Sequence, residues 1–140
     1  MKHSGPILII DDDPDDHAIC EEIVREIGIK NPIVCFHRCD EALDYLLTNH
    51  EVQPFMIICD INLPQLNGME LKKMIDDVPE LKKKSVPFIH YSTSGNSSLV
   101  EQAFENNIQG FFVKENSVEG LKKLFTKIFD YWAVSLHPKG

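Results

Sequence analysis

The sequence predicts an α/β protein: five strands alternating with five helices in a doubly wound parallel sheet. Three observations carry that expectation. Several short runs are apolar throughout rather than alternating, which fits strands buried on both faces. Each run is followed by a segment whose apolar residues recur at helical spacing. Polar and charged residues gather at the carboxyl ends of the runs, where ligands bind in open α/β sheets. Regular alternation of the two kinds of segment calls for right-handed crossovers with helices on both faces of the sheet.

Pro6 to Ile10 reads as the first strand, with Asp11, Asp12 and Asp13 at its end. Asp13 suits a helix cap and Pro14 the first helical position, and Asp15 and Asp16 suit the positive end of the helix dipole. Ile19, Cys20, Ile23, Val24 and Ile27 form the stripe of the first helix, and Gly28 marks its stop. Ile33 to Phe36 is the second strand, and Ala42, Leu43, Leu46 and Leu47 mark the second helix. Phe55 to Cys59 runs straight into Asp60, which lies at the end of the third strand. Pro64, Asn67 and Gly68 mark the following loop, and Asn67 and Glu70 have capping-box spacing. Leu71, Met74, Ile75 and Val78 give the third helix, which Pro79 ends or kinks.

Pro87 to Tyr91 is the fourth strand, followed by the polar run Ser92 to Asn96. Ser98 and Glu101 have the cap spacing for a fourth helix, striped by Leu99, Val100, Ala103 and Phe104. Gly110 to Val113 is the fifth strand and ends at Lys114. Asn116 and Glu119 repeat the cap spacing. Leu121, Leu124, Phe125, Ile128, Phe129 and Trp132 then form the clearest helical stripe in the chain. With no repeat or linker, residues 1–140 are expected to form one domain with its core in 6–133.

A net charge of −8 over 140 residues argues against a nucleic-acid footprint, which needs clustered Lys and Arg. Lys82, Lys83 and Lys84 read as a solvated helix end. Cys20, Cys35, Cys39 and Cys59 include no CxxC pair, so free thiols in a reducing cytosol are expected, and a Cys35–Cys39 metal site lacks a second ligand pair. The apolar run near the N-terminus is too short for a signal peptide, and no run approaches a membrane span. A cytoplasmic protein without membrane contact is the expectation.

Gathered on one sheet edge, the strand ends bring together Asp11 and Asp12, Asp60, Ser92 with Thr93, and Lys114. Each alone is an ordinary helix cap, turn residue or surface lysine. Four sets, each at its own strand terminus, are much harder to assign to chance. Crowded carboxylates repel one another, and a divalent cation relieves that. Oxygen ligands with room for water suit Mg²⁺. A carboxylate beside a metal and a lysine can attack a phosphoryl group and hold it as an aspartyl phosphate. The metal, Lys114 and a hydroxyl would then stabilise charge on the phosphoryl oxygens.

The segments ILIIDDDP, FMIICDINLPQLNG, PFIHYST and GFFVK resemble the receiver domain of bacterial response regulators of the chemotaxis type, from Ile7 to about Trp132. The resemblance implies a flavodoxin-like fold with strand order 2-1-3-4-5. It implies that Asp60 is the phospho-acceptor, with Asp12 and Asp60 on Mg²⁺, Asp11 acting through water and Asn62 offering a backbone carbonyl. Ser92 would follow the phosphoryl group, Lys114 would pair with it, and Phe111 would hold the aromatic switch position. It further implies a histidine kinase or phosphotransfer protein as donor and a downstream protein target. The fourth helix, fifth strand and fifth helix would form the output face, open also to a second copy of the chain.

The sequence departs from the family pattern at two positions. Glu115 replaces the proline that usually follows the lysine, and the steep cost of a non-proline cis bond predicts a trans Lys114–Glu115 bond. Phe111 lacks the hydroxyl of the frequent tyrosine, so switching would rest on ring packing. None of the six histidines has metal-ligand spacing, and His90 reads as a core residue within the fourth strand. Two other functions compete. An aspartate-nucleophile phosphatase commonly needs a second acid two residues on, where this chain has Asn62, which cannot transfer a proton. A flavodoxin-like nucleotide or flavin binder needs glycines where this chain has aspartates.

Overall fold

A computed structural model describes residues 4–61, 63, 66–93 and 95–136. In chain order the elements are β1 (Ile7–Ile10), α1 (Pro14–Glu26), β2 (Ile33–Phe36), α2 (Cys39–Thr48), β3 (Met56–Cys59) and α3 (Gly68–Asp76). They continue with α4 (Pro79–Lys82), β4 (Phe88–Ser92), α5 (Ser97–Glu105), β5 (Gly110–Val113) and α6 (Val118–Val134). The strands form one sheet in the order β2-β1-β3-β4-β5, parallel throughout. Ile7 pairs with both Ile33 and Met56, Ile57 with Phe88, and Ile89 with Gly110.

β1 and β3 are buried along their whole length, as apolar runs without alternation require. Alternate residues of these strands serve opposite faces. Leu8, Ile10, Ile57 and Cys59 join Ala42, Leu46, Leu71 and Ala103 in one core. Ile7, Ile9, Met56 and Ile58 join Ile23, Val24, Phe125 and Phe129 in the other. Side chains of that size stabilise the fold by about 1.5–3 kcal/mol each when fully buried. In the second core the rings of Tyr91, Phe125, Phe129 and Phe55 follow one another at centroid separations of 5.8, 6.0 and 6.2 Å. This chain of rings fixes α6 beneath β4 and β3.

Several local expectations are corrected. Pro79 starts a further four-residue helix, α4, so there are six helices rather than five among the described residues. The cap of α5 is Asn96, whose side chain accepts from the Leu99 N–H, and not Ser98. The cap of α6 is Ser117, which accepts from the Gly120 N–H, and not Asn116. Lys84 is not a solvated helix end. It is buried, and its ammonium donates to the carbonyls of His50 and Val52 at 2.9 and 2.8 Å, tying the loop before β3 to the segment before β4. Met74 and Phe104, expected in apolar stripes, are substantially exposed.

Other local expectations agree. Asn67 and Glu70 form a full capping box on α3. Asp13 caps α1 with Pro14 at its start. Gly28 takes φ +91°, a conformation that glycine reaches without the strain a side chain would bring. No cis peptide bond occurs among the described residues, so Lys114–Glu115 is trans.

Candidate functional site

The sheet ladder runs one residue past the strand ends, and this places the polar side chains. The Asp11 N–H donates to the Phe36 carbonyl at 3.0 Å and the Asp60 N–H to the Ile10 carbonyl at 2.9 Å. The Lys114 N–H donates to the Ser92 carbonyl at 2.8 Å. Asp11, Asp60 and Lys114 are therefore fixed at the backbone on one edge of the sheet.

Oxygens of Asp11, Asp12 and Asp60 lie within 4.8 Å of one another. Asp11 is buried, Asp60 half-buried and Asp12 exposed, so the cluster opens to solvent on one side. Hard oxygen donors with an open side suit a divalent cation that keeps part of its water. The Lys114 ammonium lies across the cluster and uses three donors. It reaches Asp11 Oδ2 at 2.8 Å, Asp16 Oδ2 at 3.0 Å and Asp60 Oδ2 at 3.2 Å. Burial pushes the Asp11 carboxyl above its usual range, against the pull of the Lys114 hydrogen bond. Burial alone would depress the Lys114 ammonium. The hydrogen bonds to Asp11 and Asp16 outweigh it and hold the ammonium above its ordinary value, so Lys114 is charged.

The other Asp11 oxygen, Oδ1, accepts from the Asp13 N–H at 3.0 Å, which locks that carboxylate between the lysine and the start of α1. Gly68 opens α3 against the back of the site. A Cβ there would lie 2.9 Å from the Asp60 carbonyl oxygen and 2.8 Å from His90 Cε1, so only glycine lets the helix approach this closely. Cys59, just before Asp60, places its sulfur 3.9 Å from that of Cys39, while Cys35 packs against the other core. Burial raises the Cys59 and Cys20 thiols, Cys20 to about 12, so both are protonated core groups. Among the described residues the acidic cluster is the one group of three or more potential metal ligands, and no cysteine belongs to it.

Ser92 is fully buried at the end of β4 and Thr93 is exposed beyond it. His90 lies two residues earlier and is also fully buried. Its Nδ1 sits 3.3 Å from the Cys59 carbonyl oxygen, its ring 5.2 Å from that of Phe88 and 6.1 Å from that of Phe111. Phe111 pairs with His90 across β4 and β5 and is half-buried. His90 thus touches both the strand that delivers Asp60 and the half-buried aromatic on β5. Burial depresses its imidazole to about 4, so the ring is neutral.

Of the residues singled out in the sequence, Asp11, Asp12, Asp60 and Lys114 come together. Ser92 and Phe111 lie on adjacent strands beside them. Asn62 lies outside the described residues. Asp16 was missed, because an acid in the first turn of a helix already has an ordinary explanation in the helix dipole. Its spacing from Asp11 across the Asp13 cap is a signal only once the turn of α1 is known.

Residues 7–126 match the model of the response regulator receiver domain. The response regulator Rcp1 of Synechocystis sp. is 25% identical over 130 residues, covering 90% of this chain and 87% of that protein. A chemotaxis protein CheY homolog of Campylobacter jejuni is 28% identical over 117 residues, covering 84% and 86%. Among solved structures, the phosphorylated cyanobacterial phytochrome response regulator RcpA superposes with a TM-score of 0.85 at 22% identity, covering 96% of this chain and 98% of that one. The Mn²⁺-bound form of Rcp1 gives 0.81 at 24% identity, covering 96% and 99%. With the family model matched from β1 into α6, the chain belongs to the response-regulator receiver domains, a family of signalling proteins.

Proposed function

We propose that the protein is a stand-alone response regulator, one receiver domain with its core in residues 6–133, acting in a two-component or phosphorelay system. Asp60 accepts a phosphoryl group from a histidine kinase or a histidine phosphotransfer protein, and the signal leaves by contact with a downstream protein. The observation that carries this reading is the position of Asp60. It ends the central strand beside two further acids and 3.2 Å from the Lys114 ammonium. In the transfer, an Asp60 carboxylate oxygen bonds to phosphorus as the bond from phosphorus to the donor imidazole nitrogen breaks. The nitrogen keeps the electron pair and takes a proton from solvent. Water later attacks phosphorus, releasing inorganic phosphate and restoring the carboxylate.

Asp12 and Asp60 would bind Mg²⁺ directly, Asp11 through water, and the Asn62 carbonyl would complete the protein ligands. Bound there, the ion would neutralise carboxylate repulsion and the charge on the transferring oxygens. Lys114 donates to a phosphoryl oxygen, and Ser92 gives a charge-assisted hydrogen bond worth about 1.5–3 kcal/mol. A bond of that size shifts a two-state loop whose gap is a few kcal/mol. As Ser92 moves inward, the Phe111 ring follows into the space. The face of α5, β5 and α6 then changes for its partner, a target protein or a second copy. Phe104, Val113, Val118 and Tyr131 expose apolar surface on these elements, which supports their use as a contact. A histidine kinase or phosphotransfer donor would meet the protein in the cytoplasm, where we place it. No described helix is long and apolar enough to cross a membrane.

Incubation with acetyl phosphate and Mg²⁺, read by intact mass, tests the assignment. Wild-type protein should gain one phosphoryl group. Asp60→Asn should gain none, and Asp12→Ala should need much more Mg²⁺ for the same labelling. Labelling of Asp60→Asn at the wild-type rate would remove Asp60 from its role.

A further inference from the structure

Lys114 is shared among three carboxylates, and the sharing is unequal. Its bonds to Asp11 and Asp16 are 2.8 and 3.0 Å, while that to Asp60 is 3.2 Å. The ammonium therefore lies nearer to Asp11 and Asp16 than to the proposed acceptor, while bonded to all three. Asp11 and Asp60 come from strand ends, whereas Asp16 comes from the first turn of α1. Asp11 is held on its other oxygen by the Asp13 N–H and its side chain is 6% exposed. The Asp16 side chain is 33% exposed, so water can replace its contact far more readily. A phosphoryl group on Asp60 carries its negative charge outward from the carboxylate. The donor now on Asp60 can pass to a phosphoryl oxygen, but as the ammonium follows the charge outward its bonds to Asp11 and Asp16 must lengthen, and the one able to give way is the more exposed Asp16.

We infer that Asp16 is a positioning residue that holds Lys114 in the unphosphorylated site and releases it when the phosphoryl group arrives. This inference rests on the proposed phospho-acceptor reading and adds its regulation: Asp16 sets how much phosphodonor is needed to load the site. With the carboxylate removed, the lysine moves at lower cost, and loading takes less donor. The effect runs through Lys114, so it must vanish when Lys114 is gone. Plain repulsion between Asp16 and an anionic donor would survive that loss.

The test is a cycle at saturating Mg²⁺, measuring initial labelling rate against acetyl phosphate concentration for wild type, Asp16→Asn, Asp16→Glu, Lys114→Met and the double variant Asp16→Asn/Lys114→Met. Asp16→Asn should lower the half-saturating concentration by about fivefold, the effect of one partly exposed charge contact. The change should fall on half-saturation more than on maximal rate, and Asp16→Glu should restore wild-type behaviour. In the Lys114→Met background the shift should shrink below about twofold. An equal shift in both backgrounds, or none in either, overturns the proposal.

The ¹⁵N resonance of the Lys114 ammonium in unphosphorylated protein gives a second reading that needs no transfer. It should move and lose exchange protection in Asp16→Asn, while that of Lys72, paired with Asp76 at 2.8 Å, stays put. An unmoved Lys114 signal overturns the proposal whatever the kinetics show. Failure of wild type to label overturns the acceptor reading and the regulatory role with it, and the ammonium signal still reports whether the pairing exists.

Discussion

Asp16 and Asp60 are the same residue type, and only one of them announced itself. Asp60 follows an apolar run, where a carboxylate is exposed to chemistry. Asp16 sits in an acidic first turn whose dipole explains it completely. What separates them is the path of the Lys114 side chain, which crosses from β5 to α1 and is not written in either segment. His90 shows the same limit in a milder form. The sequence marked it as a core residue, and it is one, yet its ring contact with Phe111 and its Cys59 partner depend on strand register. Its Nε2 is buried and has no partner among the described residues, which makes the charged ring costly. The folded value is about 4 against an ordinary 6.5, so the unfolded chain binds the proton more readily between those values. The His90 contribution is therefore complete above the ordinary value and is lost as pH falls toward the folded one, at up to about 1.4 kcal/mol per pH unit. Urea midpoints measured from pH 7 to pH 4 should fall more steeply for wild type than for His90→Leu. Parallel curves would show that the ring does not titrate in this window.

At the scale of elements, every strand and long helix could be read from apolar runs and stripes, because burial dictates both periods. Boundaries were harder. A capping rule states which residue types suit a helix start but tolerates a shift of one or two positions. Asn116 and Ser117 both qualify by type, as do Asn96 and Ser98. The choice between them is made by where the chain turns after β4 and β5. The observed caps predict that Ser117→Ala lowers stability by about 1 kcal/mol, while Asn116→Ala changes it much less. Asn96→Ala and Ser98→Ala should differ in the same way. Chemical denaturation of the four variants decides the matter, and an equal cost for both members of a pair would contradict the cap assignment. The short helix α4 is not legible in the sequence because a proline that ends or kinks one helix equally suits the first position of another.

For the whole molecule, the gathering of charged residues on one edge follows from parallel topology, which is why Asp11, Asp12, Asp60 and Lys114 could be anticipated together, whereas the strand order follows from the family resemblance and not from the apolar runs. The output face of α5, β5 and α6 remains a proposal. Ser92 and Phe111 lie on β4 and β5, and α5 and α6 carry exposed apolar residues such as Phe104 and Val118. Amide exchange with and without beryllofluoride and Mg²⁺ should change from Ser92 through Phe129. Change confined to α1 and α2 would move the output elsewhere.

Asp60 is proposed as the one carboxylate among several that carries the phosphoryl group. An aspartyl phosphate is an acyl phosphate, and borohydride reduces it to homoserine while untouched carboxylates survive. Peptide mapping after acetyl phosphate, Mg²⁺ and borohydride should find homoserine at position 60 alone. Homoserine at position 11, 12 or 16, with Asp60 intact, would put the phosphoryl group on another carboxylate.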